Sequence, residues 1–399
     1  VQLDLSAIWT LLLALATIEL GKWFNRRLPW LERSNIPPAV SAGLVLSLLL
    51  AVLRAQGVLD VTLAAAPRDV LLLAFFASLG LAAHLGRLAT AGRTALVVCV
   101  AVAATIALQN AAGVVVARTF GEPASLGLFM GSIAFLGGHG TAAAWSAAPQ
   151  AAGVSGAFEI GIGSATLGLV FGGLVAGPVA ALLMARSQAS AGTPPTSTML
   201  PTSPTLPPRD APLSSDRWLP CLIWILLCLG LGALVNVQIR RVAGIDLPAF
   251  LTAMLMGVVL TNVADLLRRP LDTEVTDLIG TVALRIFLAI ALLSLDWGAL
   301  VDHLPMVLTA TVVQILVVIA LAVGLLYLLD GRDRDAAAAA GGYMGFALGA
   351  MPVGLAVMRR LNERFGDTPR ALLGVTLAAS LFTDTANALF LAAAFRWLQ

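Results

Sequence analysis

The chain has 399 residues, 59% of them hydrophobic and only 12% charged, and its mean hydropathy is +0.93. No water-soluble domain of that length can hide so much apolar surface, so the sequence reads as a polytopic membrane protein. A formal charge of +2 gives a nucleic-acid partner no footing, and Cys99, Cys221 and Cys228 all sit inside apolar runs, as packing residues rather than a disulfide framework.

Counting an apolar run of about 20 residues as one helical span, the first half offers 6–23, 36–53, 70–86, 94–117 and 157–184. Lys22, Arg26, Arg27 and Arg33 follow the first run and mark it as a retained span, not a cleaved signal. An uncharged segment with five glycines, 124–146, precedes the last span of this half. Residues 187–217 are rich in Pro, Ser and Thr and read as a flexible linker. The second half offers 218–239, 247–264, 278–295, 304–329 and 371–395, with another uncharged five-glycine segment, 336–358, before the last. Pro38 lies 99 residues before Gly137, Pro248 lies 93 before Gly341, and Gln109 and Gln314 fall in equivalent long spans. These landmarks make 1–186 and 218–399 two copies of one unit.

Charge decides whether the glycine segments cross. If they do, there are twelve spans, and the 23 Lys and Arg outside the apolar runs divide 12 to 11 between the two sides. If they dip in and return, ten spans divide them 17 inside to 6 outside, as the positive-inside bias requires. Five spans per half is an odd number, so the copies are inverted: a 5+5 inverted repeat, each half with a re-entrant hairpin before its last helix. Both termini then lie outside, and the linker lies in the cytoplasm. One lysine against 23 arginines looks like a GC-rich bacterial genome, hence a bacterial inner membrane. Inverted repeats with discontinuous segments are the architecture of secondary transporters, whose ligands bind near the midplane.

Three glycines in four residues, as in Gly137-Gly138-His139-Gly140, are poor helix material. The expectation is that both glycine runs unwind and turn bare peptide groups toward a ligand; close packing by small residues is the alternative. Several motifs go further. Gly131-Ser132-Ile133, Gly137-Gly138-His139-Gly140-Thr141 and Trp145 resemble the signature loop of the bacterial sodium/glutamate symporter family. Gln109-Asn110-Ala111-Ala112-Gly113, Gly168-Leu169-Val170-Phe171-Gly172-Gly173 and Gly345-Phe346-Ala347-Leu348-Gly349-Ala350 are similar to it too. So is Phe382-Thr383-Asp384-Thr385-Ala386-Asn387. The resemblance runs along nearly the whole chain. It implies ten spans, two re-entrant hairpins from opposite faces, sodium-coupled uptake of an acidic amino acid, and a homodimer with a mobile transport unit. The chain departs from the family's usual hydroxyl residues at Leu136, Met351 and Val353.

On this reading the anionic amino acid is held by Gly137, Gly138, His139, Gly140, Thr141, Gly341, Gly342, Gly345, Asn110 and Asp384. Sodium, a hard cation that takes oxygen ligands as calcium does, draws on Gln109, Ser132, Thr166, Thr383, Asp384 and Asn387, with Gln314 a weaker counterpart of Gln109. His139 is either a hydrogen-bonded loop histidine or a substrate contact. Asp384 and Asn387 share one helix face at i, i+3, either as ion ligands or as a structural pair. Arg285, inside a span, is read as snorkelling or paired with Asp384 or Glu159, with neutralisation of a substrate carboxylate as the alternative. Glu19 and Lys22 pair at the surface. No cofactor and no transition-metal site is expected, since His84 and His303 lie on distant segments. A channel would need a continuous polar pore, and an enzyme would need a nucleophile–base pair. The expectation is therefore a sodium-coupled symporter of glutamate or a related acidic amino acid, working by elevator-like alternating access. A sodium- or proton-coupled carrier of another small organic anion is the rival.

Overall fold

The computed structural model describes residues 2–28, 31, 36–86, 92–148, 154–191, 215–244, 247–268 and 271–398. Most of the expected linker, and Arg33 of the charges that follow the first span, lie outside the described residues. Among the described residues the regular structure is helical apart from two three-residue strands, Gln2–Asp4 and Asp60–Thr62, which pair in parallel. In the first half α1 is Ala7–Arg27, α2 Pro38–Ala55, α3 Ala65–Leu81, α4 Gly92–Thr119, α5 Ala124–Phe129, α6 Gly138–Ser146 and α7 Ala157–Ala191. In the second, α8 is Ser215–Ala243, α9 Ala249–Leu266, α10 Thr273–Leu293, α11 Trp297–Asp302 and α12 Leu304–Leu321, which continues through a π-helical stretch, Ala322–Tyr327. Then come α13 Arg334–Leu348, α14 Met351–Phe365, α15 Pro369–Ala378, a second π-helical stretch Ala379–Thr383, and α16 Asp384–Leu398.

Among the described residues nine helices are long and apolar enough to cross a membrane. The chain is therefore a multi-pass membrane protein. The expected span at 70–86 corresponds to α3, which at 17 residues is shorter than those nine. Proline sets several helix starts: Pro38, Pro305, Pro352 and Pro369 all stand in first turns, where a missing N–H costs nothing. Aspartate sets others. The side chains of Asp272, Asp296 and Asp333 each accept a hydrogen bond from a backbone N–H of the following turn.

Six helices pack as one group: α3 lies along α9 and α10, α1 along α2, α8 along α9, and α2 along α10. In a second group α13 packs on α7, α14 and α15, while α12 and α15 both pack on α4. One apolar cluster is built wholly from the second group and the break before α6; another joins α5, α6 and α7 to the first group. The two halves repeat a local device. Asn25 Nδ2 donates to Ile36 O at 2.8 Å, and Asn236 Nδ2 donates to Leu247 O at 2.8 Å, each just before a proline-started helix. Four residues upstream of each asparagine a glycine, Gly21 or Gly232, lets the next helix approach to backbone contact. All three cysteines are buried and free, and Lys22 and Glu19 pair at 2.5 Å on the surface.

The glycine runs differ from expectation. Residues 130–137 are a series of turns between α5 and α6, so the first segment is broken. Gly341, Gly342 and Gly345, however, lie inside α13, and the chain breaks later, at Gly349-Ala350. Packing is the reason. A Cβ on Gly345 would stand 2.6 Å from Gly354 Cα, one on Gly342 2.3 Å from Met358 Sδ, and one on Gly341 2.7 Å from Ala180 Cβ. These glycines let α14 and α7 press against α13, which outweighs the helix cost of about 1 kcal/mol for each. Gly345→Ala should therefore cost about 1–3 kcal/mol through overpacking, read as a drop of several degrees in the thermal-unfolding midpoint in detergent. Gly230→Ala, where nothing lies within 4 Å, should leave the midpoint unchanged or raised.

Candidate functional site

The two breaks meet. Gly138 opens α6 with φ +71, a left-handed conformation that suits glycine, and a Cβ there would lie 3.4 Å from the Gly349 carbonyl oxygen. The middle of α7 closes the third side: a Cβ on Gly168 would lie 2.2 Å from Leu348 O, and one on Gly349 3.0 Å from Leu169 Cα. Two helix N-termini, α6 at Gly138 and α14 at Met351, therefore start close to one point. Their first-turn N–H groups and partial positive charge suit an anion. The C-terminus of α13 ends at the same place and brings carbonyl oxygens to it.

A buried polar network backs this point. Ser132, in the first break, is its centre: its Oγ donates to Asn387 Oδ1 at 2.6 Å and accepts from Asn110 Nδ2 at 2.7 Å. Its backbone N donates to Asn110 Oδ1 at 3.1 Å, and its carbonyl accepts from Asn387 Nδ2 at 3.2 Å. All three residues are buried. Gln109 Nε2 donates to Ala347 O at 2.9 Å, reaching from α4 to the last turn of α13. Gln314 Nε2, on α12, donates to Met130 O and to Gln109 O, both at 2.8 Å. Neither glutamine's Oε1 has a donor among the described residues.

The other expected residues divide. His139 and Thr141 stand in the first turn of α6, each mostly buried. Thr166 Oγ1 donates to Ile162 O at 2.8 Å and lies 3.1 Å from His139 Nε2. With the threonine proton spent on Ile162, His139 must carry its own proton on Nε2 to complete that contact. Gly137 packs directly on Thr141. Asp384 opens α16 right after the π-helical stretch, and Thr383 Oγ1 donates to Ala378 O at 3.2 Å across the widened turn. Asp384 has no ion-pair partner among the described residues. The pairing of Arg285 with Asp384 or Glu159 is not made: Arg285 is exposed on α10, and Glu159 Oε1 instead accepts from Asp296 N at 3.4 Å. Gly341 and Gly342 lie up α13 from the break, against Met358 and Ala180.

One contact escaped the sequence reading. Thr105 Oγ1 and Tyr343 Oη are hydrogen-bonded, tying α4 to α13 in a fully buried setting. The signal for it was Tyr343 itself, one of only two tyrosines, set in an Ala/Gly run. Gln314, expected as the weaker counterpart of Gln109, holds two backbone carbonyls where Gln109 holds one.

The family model described as sodium/glutamate symporter matches residues 3–367. The chain is similar to the sodium/glutamate symporter of Escherichia coli (strain K12), 35% identical over 389 residues that make up 96% of each chain. It is also similar to that of Haemophilus influenzae, 32% identical over 390 residues, 97% of this chain and 96% of the relative.

Ser132→Ala tests the network. It leaves Asn387 Oδ1 and Asn110 Nδ2 each short of a partner in a buried place, at a cost of about 1–3 kcal/mol. The unfolding midpoint in detergent should fall by several degrees. Ser380→Ala, which removes an exposed hydroxyl bonded only to Thr376 O, should change stability by no more than about 0.5 kcal/mol.

Proposed function

This chain belongs to the sodium/glutamate symporter family, and from that membership we propose that it carries glutamate, or a closely related acidic amino acid, into the cell together with sodium. It is a transporter and not an enzyme. The observation that carries the reading is the meeting of the two breaks, with Gly138 beside the Gly349 carbonyl and a buried amide network behind them. The backbone of Gly137, Gly138, His139, Gly140 and Thr141, at the positive end of α6, faces the substrate carboxylates; the N–H groups of Gly137 and Gly138 are held by Ser132 O and Ala134 O, so those of His139, Gly140 and Thr141 are the donors. Asn110 and Asp384 complete the substrate site, with Asp384 placed to meet the ammonium. Gln109, Ser132, Thr166, Thr383, Asp384 and Asn387 supply oxygens to sodium. Gly341, Gly342 and Gly345 serve the substrate indirectly, by seating α13 so that its C-terminus reaches Gly349.

The architecture we propose is a 5+5 inverted repeat, 1–186 and 218–399, joined by a cytoplasmic linker at 187–217, in the bacterial inner membrane with both termini outside. Support comes from the matched Gly–Asn–Pro devices at Gly21–Asn25–Pro38 and Gly232–Asn236–Pro248, and from the exchange of glutamine contacts between halves. In this arrangement α3 is the tenth span, and 124–146 and 336–358 are re-entrant. The group built on α4, α7 and α12 to α16 moves as an elevator against the six-helix group, which also forms a homodimer contact. Leu136 and Val353, where the family's usual hydroxyls are missing, are buried in apolar clusters.

Energetics ask for more than one sodium. Moving one net negative charge inward against about 100 mV costs about 2.3 kcal/mol, and two sodium ions return about 4.6 kcal/mol. One sodium with monoanionic glutamate would be electroneutral. In proteoliposomes, labelled-glutamate uptake should require a sodium gradient, be competed by related dicarboxylic amino acids, and accelerate under an inside-negative potential. Uptake driven equally well by a proton gradient would refute the sodium coupling, and uptake blind to potential would refute a stoichiometry of two or more. Asp384→Asn should shift the sodium dependence of uptake about tenfold or more; unchanged activation would remove Asp384 from the ion site.

A further inference from the structure

Gln314 is completely buried on α12, in one of the most apolar helices of the chain. Its Nε2 lies 2.8 Å from both Gln109 O and Met130 O. Carbonyl oxygens only accept, so the amide cannot be turned over without setting oxygen against oxygen twice. The orientation is therefore fixed by chemistry, and Oε1 is left without a donor among the described residues. Gln109 repeats the pattern: its Nε2 is spent on Ala347 O, and its Oε1 is buried without a donor. A buried acceptor left this way costs free energy, and here it happens at equivalent positions of the two halves. The carbonyls on its nitrogen side belong to the peptide of Gln109, next to Asn110, and to Met130, two residues before Ser132, so Gln314 borders the Asn110–Ser132–Asn387 network. A neutral amide oxygen left without a donor is the kind of ligand a hard, weakly charged cation takes.

We propose that Gln314 is a direct oxygen ligand of the co-transported sodium ion and that its amide nitrogen links the filled ion site to the first break through Met130. The inference rests on the sodium-coupled reading above and deepens it. A cation on Oε1 draws electron density from the amide, which strengthens both N–H bonds to Met130 O and Gln109 O. Met130 opens the turns that lead to Gly138, where α6 offers its N-terminus to the anion. Sodium thus stiffens the backbone that the anion needs, and the two ligands bind cooperatively.

The test is the thermal-unfolding midpoint of the purified full-length protein against sodium chloride, with choline chloride holding ionic strength constant. The wild type should show saturable sodium-dependent stabilisation. Gln314→Met, similar in length but without oxygen or donor, should lose at least tenfold in apparent sodium affinity. Thr105→Val, which removes the neighbouring buried contact to Tyr343, should stay within twofold of the wild type. A Gln314→Met protein with sodium affinity within twofold of the wild type overturns the assignment while leaving sodium coupling intact. A wild type with no sodium response overturns the coupling reading and this inference with it. Should Gln314→Met fail to fold, Gln314→Asn draws the oxygen back by one methylene. Its lithium-to-sodium affinity ratio should then move at least threefold, and an unchanged ratio overturns the proposal.

Discussion

A membrane interior offers no water to a broken helix, so every peptide group freed by a break must find its partner inside the protein. The described residues hold two such breaks, and the chain meets the demand with side-chain amides carried on the neighbouring helices. Gln314 covers Met130 O, Gln109 covers Ala347 O, and Asn110 and Asn387 between them cover the N–H and the carbonyl of Ser132. Each amide has a donor end and an acceptor end: Gln109 and Gln314 pair with backbone through nitrogen and keep an oxygen without a donor among the described residues, while both ends of Asn110 and Asn387 are taken. An Ala or Leu at 109, 110 or 314 would strip a buried peptide group of its side-chain partner, and one at 387 would leave Ser132 Oγ without its acceptor. A charged side chain would bring a desolvation cost that the apolar surroundings could not offset. Amides satisfy both limits.

Helix packing then sets where the breaks can be. The run Gly341-Gly342 is as rich in glycine as Gly137-Gly138, yet one lies inside a helix and the other at the junction of a turn and a helix start. The difference lies in the neighbours. Met358, Val357 and Leu361 from α14 and Ala180 from α7 press on the former from the sides. Those contacts need a regular helix with a bare face, and they reward it with dispersion contacts along α13. At Gly138 the nearest atom beyond its own strand of chain is the Gly349 carbonyl oxygen, a polar group that gives a regular helix no apolar surface to pack on. The second break falls instead at Gly349-Ala350, just ahead of Pro352, because that proline starts a helix well and continues one badly.

This explains what was legible beforehand. Apolar runs of about twenty residues are set by the bilayer, and they mapped onto the long helices with boundaries shifted by only a few residues, as at α1 and α10. Asn110, Ser132 and Asn387 were legible because polar residues in apolar runs are costly unless used, and the fold gathers all three. The state of Gly341, Gly342 and Gly345 was not legible, because composition alone cannot separate a glycine that unwinds a helix from one that admits a neighbour. Arg285 failed for a similar reason. Sequence distance gave it two carboxylates to choose from, but its position on α10 turns it outward, while Leu284 and Phe287 face the core.

The two glutamines are not used equally, and the inequality has a physical meaning. Gln314 bonds to a peptide of the first break and to the backbone of Gln109 itself; Gln109 bonds to α13 alone. Both amides spend their nitrogen on peptide carbonyls of the breaks or of the helix beside them and keep a buried oxygen without a donor among the described residues. The difference between them is therefore one hydrogen bond on the nitrogen side. Under the inverted-repeat architecture proposed above, that is the contact by which the two halves differ, and a difference of one net hydrogen bond is about 0.5–1.5 kcal/mol.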